Sequence, residues 1–382
     1  MYKKYRMCKQ CVMDITDPEI FFDDEGICNH CRRYELLKNS YPHNLNEKEK
    51  KRELQKSIEK MKNSGKNKKY DCVIGVSGGV DSTYLAYLTK KFGLRPLAVH
   101  LDNGWNSELA VNNIEKCLRA LGIDLETIVL NWEEFKDLQL AFLKASVPDV
   151  EIPTDHAIIA SLYKVASKYN IKYIVLGVNF STESVLPRMW SHGHNDWKYI
   201  KSIYRKFGNR KKLNDFPHLS LADYFYYIFI KRIKIVKLLD FVKYNKKEAI
   251  EILKKFGWKP YGHKHYESIY TRFVQGYYLP KKFNYDKRKA HLSSLILSGQ
   301  ITREEALKEL KKSPYPSREL EEKDKKYVLK KLNLTEKEFE KIMKMQPKHF
   351  WDYPSYEKMF IYKIMLWVYK KLGNRMKHLY ID

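Results

Sequence analysis

Apolar and polar positions along this 382-residue chain switch between two periods, and the period separates strand from helix. Residues 71–76 (DCVIGV) are a short apolar run rich in β-branched side chains, which predicts a buried strand. Residues 83–92 then carry apolar side chains at helical spacing and stop at Gly93. The alternation goes on, predicting strands over 95–101, 125–130, 172–176 and 233–242, and helices over 109–121, 133–144, 156–169 and 246–255. Strands alternating with helices predict a parallel sheet covered on both faces. Ligands in such sheets bind beyond the carboxyl ends of the strands.

The flanks read differently. Residues 36–69 are polar with a thin stripe of Leu45, Leu54, Ile58 and Met61, which predicts a mostly solvated linker helix ending near Gly65. Residues 263–382 show helical periodicity and many aromatics; within them 356–372, with Trp367, read as core or partner surface. The expected division is a ribbon over 1–35, the linker over 36–69, the α/β domain over 70–262 and a mainly helical substrate or partner region over 263–382. The most apolar stretch, 224–230, is far short of the roughly 20 residues a membrane span needs. The basic start MYKKYRMCKQC lacks the apolar segment of a signal peptide. The expected compartment is the cytoplasm, where thiols stay reduced.

The net charge of +26 implies anionic partners, but the excess is lysine, 57 against 15 arginines, scattered along the chain. Arginine is the better planar reader of phosphate, so this surface does not single out nucleic acid. Four of the six cysteines form one constellation, Cys8-x2-Cys11 and Cys28-x2-Cys31. Two such knuckles point four thiolates at one centre and suit tetrahedral zinc in a closed structural site. Between them EIFF reads as a strand and the Asp-Asp-Glu-Gly run as its turn. Cys72 and Cys117 fall inside a predicted strand and a predicted helix and read as small buried hydrophobes. His30 reads as a bystander. The pairs His192/His194 and His263/His265 lack neighbouring carboxylates in sequence and read as poor metal ligands.

Directly after the first strand stands Ser77-Gly78-Gly79-Val80-Asp81-Ser82. A strand, a glycine-rich turn and a helix aim backbone N–H groups at an anion. Asp81 would repel phosphate unless a divalent cation lay between them, which points to Mg2+. The loop is not a Walker A sequence, having no GK[ST]. SGGVDS in this setting resembles the PP-loop ATPases, which split ATP into AMP and pyrophosphate and pass the adenylyl group to a carbonyl oxygen. The expected fold class is therefore α/β: a parallel-sheet PP-loop domain, adenine nucleotide alpha hydrolase-like, with an N-terminal zinc ribbon and a helical C-terminal region.

Longer motifs carry a more specific likeness. CVMDITDPEI at the knuckles, SGGVDS, HLDNGWNSELA, LQLAFLKASVPDVEIPTDHAI and QGYYLPKKFNYDKRKAHLSSLILSGQITREEAL together resemble the N-acetyl sugar amidotransferase family along nearly the whole chain. The resemblance implies an ATP-, Mg2+- and zinc-containing enzyme that turns the acetamido group of a UDP-linked N-acetyl sugar into an acetamidino group for O-antigen or flagellar glycans. It also implies a separate glutaminase and a cyclase-like subunit that deliver ammonia.

The ATP contacts expected are Ser77, Gly78, Gly79, Val80, Asp81, Ser82, Asn103, Gly177 and Asn179, with Asp81 also the magnesium ligand. Asp102 and Asn103 at the second strand's end fit adenosine or Mg2+ contacts, or simply a turn. Asp155, after Pro153, reads as a helix N-cap; the family likeness places Asp155 and His156 in the active site beside Asp81 and Asp102. Glu183 and Arg188 after the fourth strand, and Lys282, Arg288 and His291 in the basic run 277–291, are candidate substrate contacts; solvated loop and helix faces would explain them too. Two other readings fit the composition: a PP-loop enzyme adenylylating a tRNA base, and a non-enzymatic zinc-ribbon module on nucleic acid.

Overall fold

A computed structural model describes residues 5–209, 212–261, 266–360 and 362. At its centre lie five parallel strands: β1 (Cys72–Gly75), β2 (Pro96–Asp102), β3 (Asp124–Val129), β4 (Tyr173–Val175) and β5 (Lys234–Val236), in the order β3-β2-β1-β4-β5. The register sets Val73 opposite Leu97 and Ile174, and Ile74 opposite Ala98 and Val175. Alternation sends Ile74, Ala98 and Val175 to one face, against the helix Val80–Lys91, and Val73, Leu97 and Ile174 to the other, against the helix Ile152–Lys168. The chain leaves β1 for β2 and β3 on one side and β4 and β5 on the other, so the order reverses between β1 and β4. In sheets of this kind ligands bind beyond the carboxyl ends of the strands at such a reversal, here β1 and β4.

Three local expectations need correction. The stripe Leu54, Ile58 and Met61 is buried with Cys72, Ile74 and Val175, so the helix Glu47–Ser64 packs on the sheet rather than lying in solvent; even a narrow apolar seam at helical spacing finds a partner. The fifth strand is three residues long and passes into a 3-10 turn, Leu238–Phe241. Leu238 and Leu239 are both buried, and a strand would have sent one of them outward. The helix expected from 156 begins at Ile152 with Pro153 in its first turn, where proline's missing N–H costs nothing. Asp155 is therefore not its N-cap.

The C-terminal region contains the helices Ile269–Phe273, Leu279–Phe283, Lys287–Leu297, Arg303–Leu310, Arg318–Leu332 and Glu336–Lys344. The four N-terminal cysteines share a core cluster with Phe273, Leu279 and Phe339 from these helices. Arg303 donates to the carbonyls of Cys11 and Cys8 (3.1 and 2.9 Å), the Val12 N–H to Ser293 Oγ (3.2 Å), and Lys289 pairs with Asp14. The ribbon is thus packed against the helices Lys287–Leu297 and Arg303–Leu310. Most of the helix expected over 356–372, and the pair His263/His265, lie outside the described residues. No helix among the described residues is long and apolar enough to cross a membrane.

Candidate active site

Gly79 caps the helix Val80–Lys91, whose first N–H groups have no acceptor within the helix and face the loop. Ser77 and Ser82 brace the turn: Ser82 Oγ accepts from the Ser77 N–H (3.2 Å), and Ser77 Oγ accepts from the Gly79 N–H (3.3 Å). Gly78 has φ +83°, and a Cβ there would come within 2.7 Å of the Ala110 carbonyl oxygen. Its own carbonyl accepts from Trp258 Nε1 (2.8 Å) and the Tyr261 hydroxyl (2.6 Å). Val80 turns its side chain into the core and can offer a ligand only its backbone. After β4, a Cβ on Gly177 would stand 3.2 Å from the Ser82 backbone, so β4 closes directly on the helix start. The donor-rich cradle fits the phosphates of a nucleotide.

Asp81 sits in the first helical turn, where the helix dipole favours a carboxylate. Its Oδ1 accepts a hydrogen bond from the Tyr244 hydroxyl, whose pKa burial and the Asp81 charge both push up. Asn179 caps the short helix Phe180–Glu183 by accepting from the Thr182 N–H (3.0 Å). Its Nδ2 is buried without a partner among the described residues, a donor left over for a bound group. Glu183 closes the same short helix.

At the end of β2, Asp102 Oδ1 accepts from the Gly104 N–H (2.9 Å), and Asn103 Oδ1 accepts from the Trp105 N–H (3.1 Å). Both carboxamide and carboxylate thus hold the turn. Asn103 Nδ2 also reaches Thr154 Oγ1 (3.4 Å), joining this loop to the start of the helix Ile152–Lys168. That helix runs back toward the amino edge before entering β4, so its first turn lies at the carboxyl edge with the phosphate loop.

Asp155 stands in this first turn, and its Oδ2 is 3.5 Å from His194 Nε2. The same nitrogen lies 3.4 Å from Asp149 Oδ2 and 2.9 Å from Ser191 Oγ, whose hydroxyl donates to Asp149. Burial raises the pKa of Asp155 to about 6, with Asp149 and Glu151 adding to the rise and His194 and Lys287 opposing it. Asp149 is also buried, but Lys287, His194 and Ser191 more than reverse that effect and hold it well below the usual carboxylate range. The pKa of His194 is raised because its two carboxylates outweigh burial. His194 therefore does have carboxylate neighbours, on segments distant in sequence.

His156 cannot serve as a catalytic base. Its Nδ1 donates to the His194 carbonyl (2.7 Å) and its Nε2 accepts from the Leu219 N–H (3.0 Å), so both nitrogens are used. Burial drives its pKa down to about 4, which leaves it a neutral strut behind His194. The expected substrate contacts also have partners. Lys282 donates to the carbonyls of Met343 and Met345 at the end of the helix Glu336–Lys344 (3.3 and 2.8 Å), and Arg288 is held by Asp286 (2.7 Å). Both are thereby engaged in helix ends and turns rather than free to meet a ligand. Arg188 and His192 reach Glu357 (3.4 and 2.7 Å), and His291 Nδ1 donates to the Thr182 carbonyl (3.1 Å). Tyr244, Trp258, Tyr261, Asp149 and Ser191 are not marked out by the sequence, although Asp149 stands within the longer motifs; Lys287 belongs to the basic run 277–291.

The sulfurs of Cys8, Cys11, Cys28 and Cys31 all lie within 4.8 Å of one another, with separations of 3.6–3.8 Å for three pairs. Tetrahedral zinc with sulfurs at about 2.3 Å has an edge of about 3.8 Å. The Cys28 and Met13 N–H groups donate to Cys8 and Cys11 sulfurs (3.3 and 3.4 Å), as thiolate sites require. The donor set fits zinc. His30 pairs with Asp17 (2.6 Å) and stands outside it.

Residues 50–197 match the family model of NAD synthase, and residues 267–369 match that of the LPS biosynthesis protein WbpG-like, C-terminal domain. No curated protein matches the chain. Among solved structures it is similar to an NH3-dependent NAD synthetase from Campylobacter jejuni (13% identity, 80% of this chain and 99% of that one, TM-score 0.30). It is also similar to NMN synthetase from Francisella tularensis (19% identity, 58% and 90%, TM-score 0.27). A third is described as a predicted subunit of tRNA methyltransferase from Methanocaldococcus jannaschii (18% identity, 48% and 75%, TM-score 0.28). The strand–loop–helix cradle of this chain and these two family matches support an amidotransferase-like PP-loop protein, with an NAD synthase-like sheet and a WbpG-like C-terminal segment.

Proposed function

We propose that the chain is an AMP-forming amidotransferase that converts the acetamido group of an N-acetylated, UDP-linked sugar into an acetamidino group. In this reading the phosphate loop would hold ATP and Asp81 would hold Mg2+; the amide oxygen of the sugar attacks the α phosphorus as the α–β phosphoanhydride bond breaks and pyrophosphate leaves. An amide carbon is a poor electrophile; adenylylation gives its oxygen a good leaving group. Ammonia then displaces AMP. The protein's task is positioning and electrostatic stabilisation of the pyrophosphate. Zinc in the ribbon is structural, a separate glutaminase with a cyclase-like subunit supplies ammonia, and the reaction belongs to the cytoplasmic stage of surface-glycan synthesis.

The single observation that carries this reading is the coexistence of the PP-loop cradle with a C-terminal segment matched to an LPS biosynthesis domain. The β2 loop and that segment are physically joined: the Ile269 N–H donates to the Trp105 carbonyl (3.0 Å) and the Ser107 N–H to the Glu267 carbonyl (2.8 Å). A tRNA acceptor is the second reading, favoured by the charge of +26. AMP release from ATP with ammonium present, compared between UDP-linked N-acetyl sugars and bulk tRNA, separates the two. Stimulation by a sugar is expected; stimulation by tRNA alone would end the sugar reading.

A further inference from the structure

A cluster of titratable groups gathers at the start of the helix Ile152–Lys168, which Thr154 joins to Asn103 at the end of β2. Its groups come from four separate segments: Asp149 and Glu151 from the turn before the helix Ile152–Lys168, Asp155 from that helix, Ser191 and His194 from the loop after β4, and Lys287 from the start of the helix Lys287–Leu297. Asp155 keeps 47% of its side-chain surface exposed, against 5% for Asp149 and 31% for His194. Asp155 is thus the carboxylate open to a ligand, and Asp149 is the one closed off. Lys287 forms no ion pair among the described residues; Asp149, Glu151 and Asp155 act on it through their charge.

Resting on the amidotransferase reading, we infer that Asp155 is the general base of the amination step, and that His194, anchored by Asp149 and Ser191, is its positioning residue. Nitrogen forms its bond to the adenylylated carbon, the carbon–oxygen bond breaks, and AMP leaves with that electron pair. One proton passes from the nitrogen to the Asp155 carboxylate. His194 Nε2 stands 3.5 Å from Asp155 Oδ2, and 47% of the Asp155 side-chain surface stays open. A base matched to neutral pH takes a proton best; desolvation raises the proton affinity of Asp155 and its charged neighbours adjust it. The groups facing it are Asp149, Glu151, His194 and Lys287; the first two raise its affinity for a proton and the last two lower it.

Two readouts test the inference: ATP–pyrophosphate exchange with a UDP-linked N-acetyl sugar panel, which reports adenylylation, and AMP release after ammonium chloride is added. Wild-type AMP release should fall below a midpoint of about 6 as Asp155 takes up its proton. Asp155→Asn should lower AMP release by a factor of about 10² to 10⁴ while exchange falls less than about threefold. His194→Gln removes a positive neighbour, so it should move the acidic limb to higher pH; Asp149→Asn should move it to lower pH. A merely structural role for His194 would lower the rate and leave the limb in place. AMP release by Asp155→Asn within threefold of wild type, or a limb that neither neighbour moves, overturns the inference alone. Absence of both exchange and AMP release in the wild type overturns it together with the sugar reading.

Discussion

Asp81 is a carboxylate placed where phosphate is to bind, and two local features keep it there: the amino end of the helix Val80–Lys91 and the Tyr244 hydroxyl. A hydrogen bond to a charged group contributes about 1.5–3 kcal/mol, or one to two orders of magnitude in rate if it positions a metal ligand. Asp81→Asn should abolish AMP formation with little change in Tm, whereas Tyr244→Phe should lower it by a factor of about 10 to 100. Parallel AMP assays and thermal melts check both; a fully active Asp81→Asn would take Asp81 out of the mechanism. SGGVDS already named Asp81, because the loop's chemistry is local. It could not name Tyr244, which is 163 positions away in the chain. His156 shows the opposite failure. Asp155 beside it keeps an exposed side chain, but one step along the helix turns the His156 side chain about 100° away, into the core.

Among the elements, the zinc ribbon depends most on others. Arg303, Ser293 and Lys289 hold its backbone and Asp14, so the metal site and two C-terminal helices support each other. Metal analysis should give about one zinc per chain, and iron in its place would contradict the tetrahedral reading. Removing zinc with a chelator should expose amides at 8–31 and also across 287–310 to hydrogen exchange, while β1 and β2 stay protected. Loss confined to 8–31 would show that the packing does not couple them. The CxxC spacing disclosed the ribbon because four thiolates converge on one ion whatever surrounds them. The docking could not be read, since Val12 and Ser293 are ordinary residues whose contact spans 281 positions. The helix Glu47–Ser64 was misread for a related reason: three apolar side chains do not show from composition that a sheet face awaits them.

Taken whole, the molecule sets the phosphate loop and the Asp155 carboxylate at one sheet edge but offers no exposed thiol with which to cleave glutamine. All six cysteines are buried, and burial raises the pKa of Cys117 to about 11. Glutamine alone should therefore support no AMP release, while ammonium chloride should; turnover on glutamine with the purified chain would reveal an ammonia source outside these cysteines. The parallel sheet, its phosphate loop and the metal ribbon were legible from order and spacing, because strand period, glycine turns and cysteine pairs act over a few residues. The cluster of Asp149, Asp155, Ser191, His194 and Lys287 was not, because its geometry exists only once four segments, up to 138 positions apart in number from Asp149 to Lys287, have been packed against one another. Proton affinity follows burial and neighbouring charge, and both are properties of the folded arrangement rather than of residue type.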